Sequence, residues 1–272
     1  MSSPSLRDLL PAVHEAARLA LRYYRGEVGF GAELKGDHTL VTEADRRVEE
    51  LLRRAIGELY PAARIVGEEG GVGPRGQARL TFAIDPIDGT ESFAARNPGW
   101  CIAVGVLDEQ ACPIGGIVHV PTWDTTFCAD LDPRAPAFSN EQALVPLGPD
   151  FRFTLGERSQ LLIDSKAHLR YSFAGYPGRC RGFGSAALHV CLVAAQRGAL
   201  AAQLLAPWVW DVAGAHAIAA RVGVEIRTMA GAPIDYAPMV EGAKCSDDVL
   251  IGHPSVIDAI RPRFAALPGR SA

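Results

Sequence analysis

The start of the chain has the hydrophobic spacing of two amphipathic helices. Apolar residues recur at helical intervals between Leu6 and Leu21, which predicts a first helix that buries one face. A glycine-containing loop is expected over residues 26–37. Thr42 then offers a capping hydroxyl with Asp45 three residues later, so we expect a second helix to begin there. Its buried face is predicted to comprise Val48, Leu51, Leu52 and Ile56.

A series of strand-like segments follows. Residues 64–67 predict a short strand ending at Glu68, and the apolar run 80–84 predicts a buried strand that ends at a turn bearing Asp85. Three further runs, separated by turns, predict an antiparallel meander: residues 101–107, 113–120 and 125–129. Residues 130–150 are rich in Pro, Asp and Gly and are expected to form a surface connection.

Beyond residue 150, strands are predicted to alternate with helices, which is typical of an α/β arrangement. The predicted strands are 160–163, 200–204 and 223–227, and the predicted helices are 185–195, 211–220 and 255–264. We therefore expect a single domain over residues 1–272. Its α+β half would cover residues 1–140, and its α/β half would cover residues 141–272.

Composition fits a soluble globular protein and argues against nucleic-acid binding. The chain has 272 residues, of which 48% are hydrophobic and 21% are charged, so it can bury a large core. Its net charge is -4, so a polyanionic substrate would need metal ions or local positive charge. The N-terminal pattern predicts neither a signal peptide nor a membrane span. The six cysteines include no Cys-x-x-Cys pair, which predicts reduced thiols in a cytoplasmic protein.

The segment Asp85-Pro86-Ile87-Asp88-Gly89-Thr90 carries the strongest chemical signal. Two carboxylates this close at a strand end repel one another, and a cation between them removes that cost. Hard divalent cations prefer such oxygen ligands. Backbone N–H groups beyond the acids, where a helix begins, can bind a phosphate. The segment therefore predicts metal-assisted phosphate chemistry.

Other acidic positions have simpler interpretations that stay open at this point. Glu68 and Glu69 would ordinarily be exposed surface acids. Asp211 would ordinarily cap the helix predicted to follow it, and Asp45 would be a first-turn acid favoured by the helix dipole.

Several motifs nevertheless occur together in one order. They are Lys35 followed by Thr42-Glu43-Ala44-Asp45, then Gly67-Glu68-Glu69, Asp85-Pro86-Ile87-Asp88-Gly89-Thr90-Glu91-Ser92-Phe93, Arg181-Gly182-Phe183-Gly184-Ser185-Ala186-Ala187 and Trp210-Asp211-Val212-Ala213-Gly214. This combination resembles the inositol monophosphatase family of Mg²⁺-dependent, lithium-sensitive phosphatases. The resemblance implies the α/β fold of fructose-1,6-bisphosphatase and inositol monophosphatase, an α+β sandwich with layers in the order αβαβα.

The resemblance also implies a metal site built from oxygen ligands. Glu68, Asp85 and the Ile87 carbonyl would hold one Mg²⁺ ion. Asp85, Asp88 and Asp211 would hold a second ion, and Glu68 would contact a looser third. Mn²⁺ is an alternative to Mg²⁺ at these positions. One ion would activate a water, and another would stabilise charge on the leaving ester oxygen.

Further residues would position the water and the substrate if the resemblance holds. Asp45 would orient the Thr90 hydroxyl, and Thr90 would orient the attacking water, with Glu68 assisting catalysis. Lys35 would lie on a lid over the metals. The substrate would contact Gly89, Thr90, Ser185, Ala186 and Asp211.

The chain departs from the family where the substrate is chosen. Leu204 occupies the position of a Glu that usually binds ring hydroxyls in inositol phosphatases. Gln203 could replace that Glu only if the strand register slipped by one residue. His216 resembles a step found in relatives that dephosphorylate 3′-phosphoadenosine 5′-phosphate, although a half-buried helix histidine is the simpler interpretation.

The expected activity is therefore Mg²⁺-dependent hydrolysis of a small phosphate monoester, with inositol 1-phosphate as the default substrate. The alternatives are a 3′(2′),5′-bisphosphate nucleotide, histidinol phosphate and fructose 1,6-bisphosphate. A regulatory protein that binds a partner through the same fold is the non-enzymatic alternative. From the composition we also expect a cytoplasmic protein with no nucleic acid or membrane as a partner, and by resemblance we expect a homodimer.

Overall fold

The computed structural model describes residues 4–28, 32–34 and 40–267. The expected lid residue Lys35 lies outside this part of the chain. The α-helices are α1 (Leu10–Tyr24), α2 (Glu43–Leu59), α3 (Thr90–Ala94), α4 (Ala186–Ala194), α5 (Val209–Ala220) and α6 (Pro254–Ile260). Short 3-10 helices cover Leu6–Leu9, Pro121–Trp123, Ala167–Leu169, Met239–Glu241 and Arg261–Arg263.

The strands form two large sheets and two small ribbons. They are β1 (Ala32–Leu34), β2 (Leu40–Thr42), β3 (Arg64–Gly67), β4 (Gly71–Val72), β5 (Thr81–Asp88), β6 (Cys101–Leu107), β7 (Pro113–Val120), β8 (Thr125–Ala129), β9 (Phe138–Ser139), β10 (Gln142–Ala143), β11 (Gln160–Ile163), β12 (Tyr171–Ser172), β13 (Arg179–Arg181), β14 (Ala201–Leu204), β15 (Glu225–Thr228), β16 (Val249–Gly252) and β17 (Ala265–Ala266). The ribbons are β1–β2 and β12–β17.

The larger sheet has the order β10-β9-β8-β7-β6-β5-β3-β4 and contains the predicted meander. Its pairs are antiparallel except β3–β5, which is parallel. All of β6 is buried because helices cover both faces of the sheet. Helices α1 and α2 pack on one face, while α4 and α5 pack on the other.

The second sheet has the order β13-β11-β14-β16-β15 and mixes parallel and antiparallel pairs. Helix α4 is apolar around its whole circumference because it lies between the two sheets with α5. Helix α6 covers the outer face of the second sheet. The layers therefore follow the order αβαβα, which confirms the predicted fold class.

Strand β5 differs from its prediction, because it continues through the acidic segment to Asp88 instead of ending at a turn. Asp85 pairs with Ala103 and Asp88 pairs with Cys101, so β5 holds one more residue than β6 over this stretch. Such an extra residue is a β-bulge. The prediction of a turn was wrong because Asp, Pro and Gly are typical of both bulges and turns.

Some other elements were also missed or misplaced. The predicted connection 130–150 contains the β9–β10 hairpin, and the predicted loop 26–37 contains β1. Strand β16 was not predicted, although it lies between β14 and β15 in the second sheet. Its four apolar residues are too few to show a period.

No helix in the described residues is long and apolar enough to cross a membrane. All six cysteines are free thiols, and Cys112 and Cys180 are exposed.

Helix α5 lies against the larger sheet with backbone touching backbone at Gly214. A Cβ atom on Gly214 would come within 2.5 Å of the Val104 carbonyl oxygen. One on Gly116 would come within 2.2 Å of the Gly214 oxygen. Only glycines permit this approach. It holds the first turn of α5, with Asp211, close to the larger sheet.

Replacing Gly214 by Ala is expected to destabilise the fold, because the added methyl group collides with backbone that cannot rotate away. Overpacking of this kind costs about 1–3 kcal/mol. In a protein of this size each kcal/mol lowers the melting temperature by roughly 2–4 °C, which calorimetry would measure. Gly57→Ala is the matched control, since a Cβ there meets no atom within 4 Å. Equal melting temperatures for both variants would contradict the close approach.

Candidate active site

The bulge in β5 brings Asp85 and Asp88 to the same face of the larger sheet. In a regular strand, residues three apart face opposite sides. The extra residue shifts this alternation, so the two acids lie opposite Ala103 and Cys101, which both belong to the core shared with α4 and α5. Asp85 is 2% exposed and Asp88 is 7% exposed. Two carboxylates are therefore buried together at one end of the sheet.

Asp88 is held by the N-terminus of α4. Its Oδ2 accepts hydrogen bonds from Ser185 Oγ at 2.6 Å and from the Ala187 N–H at 2.6 Å. Its Oδ1 accepts one from the Ala186 N–H at 3.1 Å. Ser185 also caps the helix by accepting a hydrogen bond from the Leu188 N–H. The first turn of a helix favours an anion, so α4 stabilises the charged form of Asp88.

Asp211 comes from the first turn of α5 rather than from the capping position considered above. Its Oδ2 accepts a hydrogen bond from the Trp208 N–H at 2.7 Å. The side chain remains partly exposed.

Helix α2 supplies the fully buried Asp45 beside the same strand end. Asp45 accepts a hydrogen bond from the Thr42 N–H at 2.7 Å and another from the Thr42 hydroxyl. The Thr90 hydroxyl lies 3.4 Å from Asp45 Oδ1 and 3.1 Å from the Ile87 carbonyl oxygen. Asp45 is a first-turn acid in a capping box, and it also faces Thr90.

The same helix fixes the segment that carries Glu68. Glu49 is buried one turn beyond Asp45 on α2. Its carboxylate accepts hydrogen bonds from the Glu69 and Gly70 N–H groups, each at 2.8 Å. Arg53 Nε donates to Glu49 at 2.6 Å, which balances the buried charge. Glu49 was missed from the sequence, where its signal is an acid on the buried face of an amphipathic helix.

The carboxylates interact strongly. Burial raises the pKa of Asp85 well above its usual range, and the charges of Glu68 and Asp88 raise it further. Partial burial likewise raises the pKa of Asp211, with the Asp88 charge adding to the effect. Burial raises the pKa of Asp45 to about 6, although the Thr42 hydrogen bonds oppose the shift. A bound cation would relieve this repulsion.

The donor set fits a hard cation in its chemistry, since carboxylate and carbonyl oxygens are the ligands Mg²⁺ prefers. Within the described residues, no three Asp, Glu, His or Cys side chains are already arranged around one ion position. Asp88 directs its oxygens to α4, and Asp211 directs one to Trp208. Metal binding would therefore require modest side-chain movement.

Two adjoining compartments lie beside the carboxylates. One, of about 240 Å³, is lined by Glu68, Gly89, Thr90, Glu91, Asp164, Ser165, Lys166 and Gly184. The other, of about 170 Å³, is lined by Asp88, Asp164, Ser165, Gly184, Ser185, Ala186, His189, Leu204 and Asp211. Every predicted site residue in the described chain except Asp45, Asp85 and Ile87 lines one of them.

The segment Asp164-Ser165-Lys166 lines the cleft, with Asp164 and Ser165 bordering both compartments and Lys166 bordering the larger one. This segment was not predicted from the sequence. It follows β11 directly, and an acid immediately after a strand of an α/β sheet is the signal that could have found it. Lys166 Nζ lies 3.8 Å from Glu91 Oε1 across the mouth, an exposed pair that contributes little stability.

Comparisons with known proteins decide the family. The sequence profile described as the inositol monophosphatase family matches residues 6–255. The chain belongs to the inositol monophosphatase family. Members of this family are phosphatases and are generally Mg²⁺-dependent.

Relatives within the family carry different activities in their names. A histidinol-phosphatase from Chlorobaculum parvum is 30% identical over 76% of this chain and 79% of its own length. A 3′(2′),5′-bisphosphate nucleotidase CysQ from Escherichia coli is 26% identical over 85% of this chain and 94% of its own. The solved inositol monophosphatase (IMPase) of Thermotoga maritima superposes with a TM-score of 0.77 at 21% identity, covering 95% of each chain, which supports the family fold.

The structure shows where the residues that depart from the family pattern, Leu204 and His216, are located. Leu204 lines the smaller compartment, so its strand neighbour Gln203 faces away from it. Gln203 is fully buried, and neither polar atom of its amide has a partner, so the register slip does not occur. His216 Nδ1 lies 2.9 Å from the Tyr236 hydroxyl, in agreement with a half-buried helix histidine.

Asp85→Asn is expected to stabilise the metal-free protein while weakening its response to Mg²⁺. A raised pKa means that the folded state binds the proton more tightly than the unfolded state. This carboxyl therefore makes metal-free stability fall as pH rises above about 4, the unfolded pKa of Asp. Asn removes that loss and also removes a candidate ligand.

Thermal unfolding at pH 7.5, with EDTA and with Mg²⁺, measures both effects. In EDTA, wild type should have a lower melting temperature than the variant. Mg²⁺ should raise the melting temperature of wild type more than that of the variant. Leu204→Met serves as a control that alters the cleft without changing charge. A full Mg²⁺ response in Asp85→Asn would contradict a ligand role for Asp85.

Proposed function

We propose that this protein is a Mg²⁺-dependent phosphatase that hydrolyses a small phosphate monoester, with inositol 1-phosphate as the default substrate. The observation that carries the proposal is the convergence of Glu68, Asp85, Asp88 and Asp211 beside a compartment formed by Gly89 and Thr90. Buried acids that raise one another's pKa next to a cleft are typical of functional sites.

We assign to each residue the role that the family resemblance implies. Glu68, Asp85 and the Ile87 carbonyl would hold one Mg²⁺, while Asp85, Asp88 and Asp211 would hold a second. A third, weaker ion at Glu68, and Mn²⁺ in place of Mg²⁺, remain part of the proposal. The bound ions would supply an activated water and stabilise charge on the leaving oxygen.

Asp45 and Thr90 would position the attacking water. The Thr90 hydroxyl lies between Asp45 Oδ1 and the Ile87 oxygen, so an ionised Asp45 can fix its rotor. The N–H groups of Gly89 and Thr90, at the start of α3, would bind phosphate oxygens. Gly89 has a φ of 93°, and a Cβ there would lie 3.0 Å from the Gly184 oxygen, so glycine keeps this turn open.

Ser185 and Ala186 would contribute to the substrate pocket from the start of α4. Their observed hydrogen bonds go to Asp88, so they also position a metal ligand. Either role would bring the start of α4 to the reacting centre.

The lining of the smaller compartment favours a second candidate, histidinol phosphate. Leu204 offers this compartment an apolar surface. Asp164 offers a carboxylate that forms no ion pair with the described residues and accepts a hydrogen bond from the Lys166 N–H. An apolar face with one free carboxylate suits a leaving group bearing a protonated amine.

Asp88→Asn is expected to remove nearly all phosphate release while leaving the fold intact. The amide keeps the volume of the side chain but removes the negative charge that a metal ligand needs. A loss of at least tenfold corresponds to about 1.4 kcal/mol or more of barrier. The assay measures phosphate release from inositol 1-phosphate, histidinol phosphate, fructose 1,6-bisphosphate and 3′-phosphoadenosine 5′-phosphate, with Mg²⁺, with EDTA and with added lithium.

Retention of more than about a tenth of the rate by the variant would contradict the two-metal assignment. Release from no substrate by wild type would favour the regulatory alternative. Gel filtration of the same samples tests the expected homodimer.

Asp164→Asn separates the two substrate candidates. If Asp164 binds a substrate ammonium, the variant should raise KM for histidinol phosphate by roughly 10–100-fold, from a loss of about 1.5–3 kcal/mol. KM for inositol 1-phosphate should change little, because an amide oxygen still accepts from a hydroxyl. Asp235→Asn is the matched control, since Asp235 lines neither compartment. Unchanged constants for both substrates would remove Asp164 from the substrate site.

A further inference from the structure

A second cavity, of about 340 Å³, lies at the end of β11 and β14 that is opposite the active-site cleft. Asp164 and Leu204 lie at the active-site ends of β11 and β14. The cavity instead contacts Gln160, which begins β11, and Leu200, which precedes β14. Four strand residues separate the two sites by about 13 Å. We propose that this cavity binds a small planar aromatic anion.

Rings form part of the cavity wall. Phe151 and Phe153 are half-buried and stack with centroids 6.3 Å apart and planes at 15°. The His253 ring lies 5.0 Å from Phe151 at an angle of 49°. Half-buried ring faces that line a concavity provide a stacking surface for a planar ligand.

The charge of the wall selects an anion. The lining includes Arg158 and no Asp or Glu. Arg158 is exposed, and within the described residues it forms no ion pair. A guanidinium without a carboxylate partner can bind a carboxylate or phosphate through two parallel hydrogen bonds.

Polar groups with unused capacity complete the site. His253 is 9% exposed, and its Nδ1 contacts the Ser255 hydroxyl at 2.8 Å. Its Nε2 makes no hydrogen bond to any residue that the structure describes. Gln196 is exposed and donates to the Val145 carbonyl through Nε2, while its Oε1 accepts no hydrogen bond from the described part of the chain. A heteroaromatic ring edge would satisfy both groups.

This inference goes beyond the phosphatase reaction and does not depend on it. The shared ligand chemistry, a ring with an anionic group, has two sources: aromatic carboxylates and nucleoside monophosphates. Calorimetric titration of the full chain with indole-3-acetate tests the first source. Titration with adenosine 5′-monophosphate, on the Asp88→Asn protein to prevent turnover, tests the second.

Indole-3-acetate should bind at least tenfold more tightly than indole-3-acetamide, which lacks the charge, and than acetate, which lacks the ring. Arg158→Gln should weaken binding of the preferred probe at least tenfold, about 1.4 kcal/mol. Arg158 is exposed, so the variant should fold. Arg152→Gln is the control, since Arg152 lies nearby outside the cavity and pairs with Asp150.

The probe that binds wild type more tightly, and whose binding weakens in Arg158→Gln, identifies the source and supports the proposal. Asp88→Asn should leave indole-3-acetate binding unchanged, which separates this site from the catalytic one. Binding that is equal in Arg158→Gln and wild type, or no binding of either probe, would overturn the proposal.

Discussion

The repulsion between buried carboxylates is the constraint on which the rest of the site depends. Asp85 and Asp88 are almost fully buried, with Asp211 and Glu68 close enough to raise the pKa of Asp85. An arrangement of this kind costs free energy in the absence of a cation. The fold must therefore hold these acids in place, and contacts from several elements serve that purpose.

Three helices provide these contacts. The start of α4 donates hydrogen bonds to Asp88, and α5 positions Asp211 through its backbone contact at Gly214. Helix α2 contributes Asp45 and Glu49 from one face, four residues apart. The first faces Thr90, and the second fixes the turn after β3. Local sequence preferences for caps and first-turn acids thus coincide with the needs of the site.

Much of the fold and of the candidate site could be predicted from the sequence. The long periodic helices and the meander were predictable because their hydrophobic spacing is set by burial on one or both faces. Strand β16 was missed because four apolar residues carry no period. The path of β5 was misjudged because bulges and turns use the same residues. Residues that act by supporting others, such as Glu49, or by forming a wall, such as Asp164, have no motif of their own and become visible only when distant segments meet.

The bulge in β5 is protected by the hydrophobic core. If the same residues formed a regular strand, Asp85 and Asp88 would lie three apart on opposite faces of the sheet. One carboxylate would then point into the apolar layer beneath α1 and α2, among Phe82, Ile84 and Ile102. Regular pairing is therefore penalised as a folding defect, so the core itself selects the bulged register that brings the two acids together.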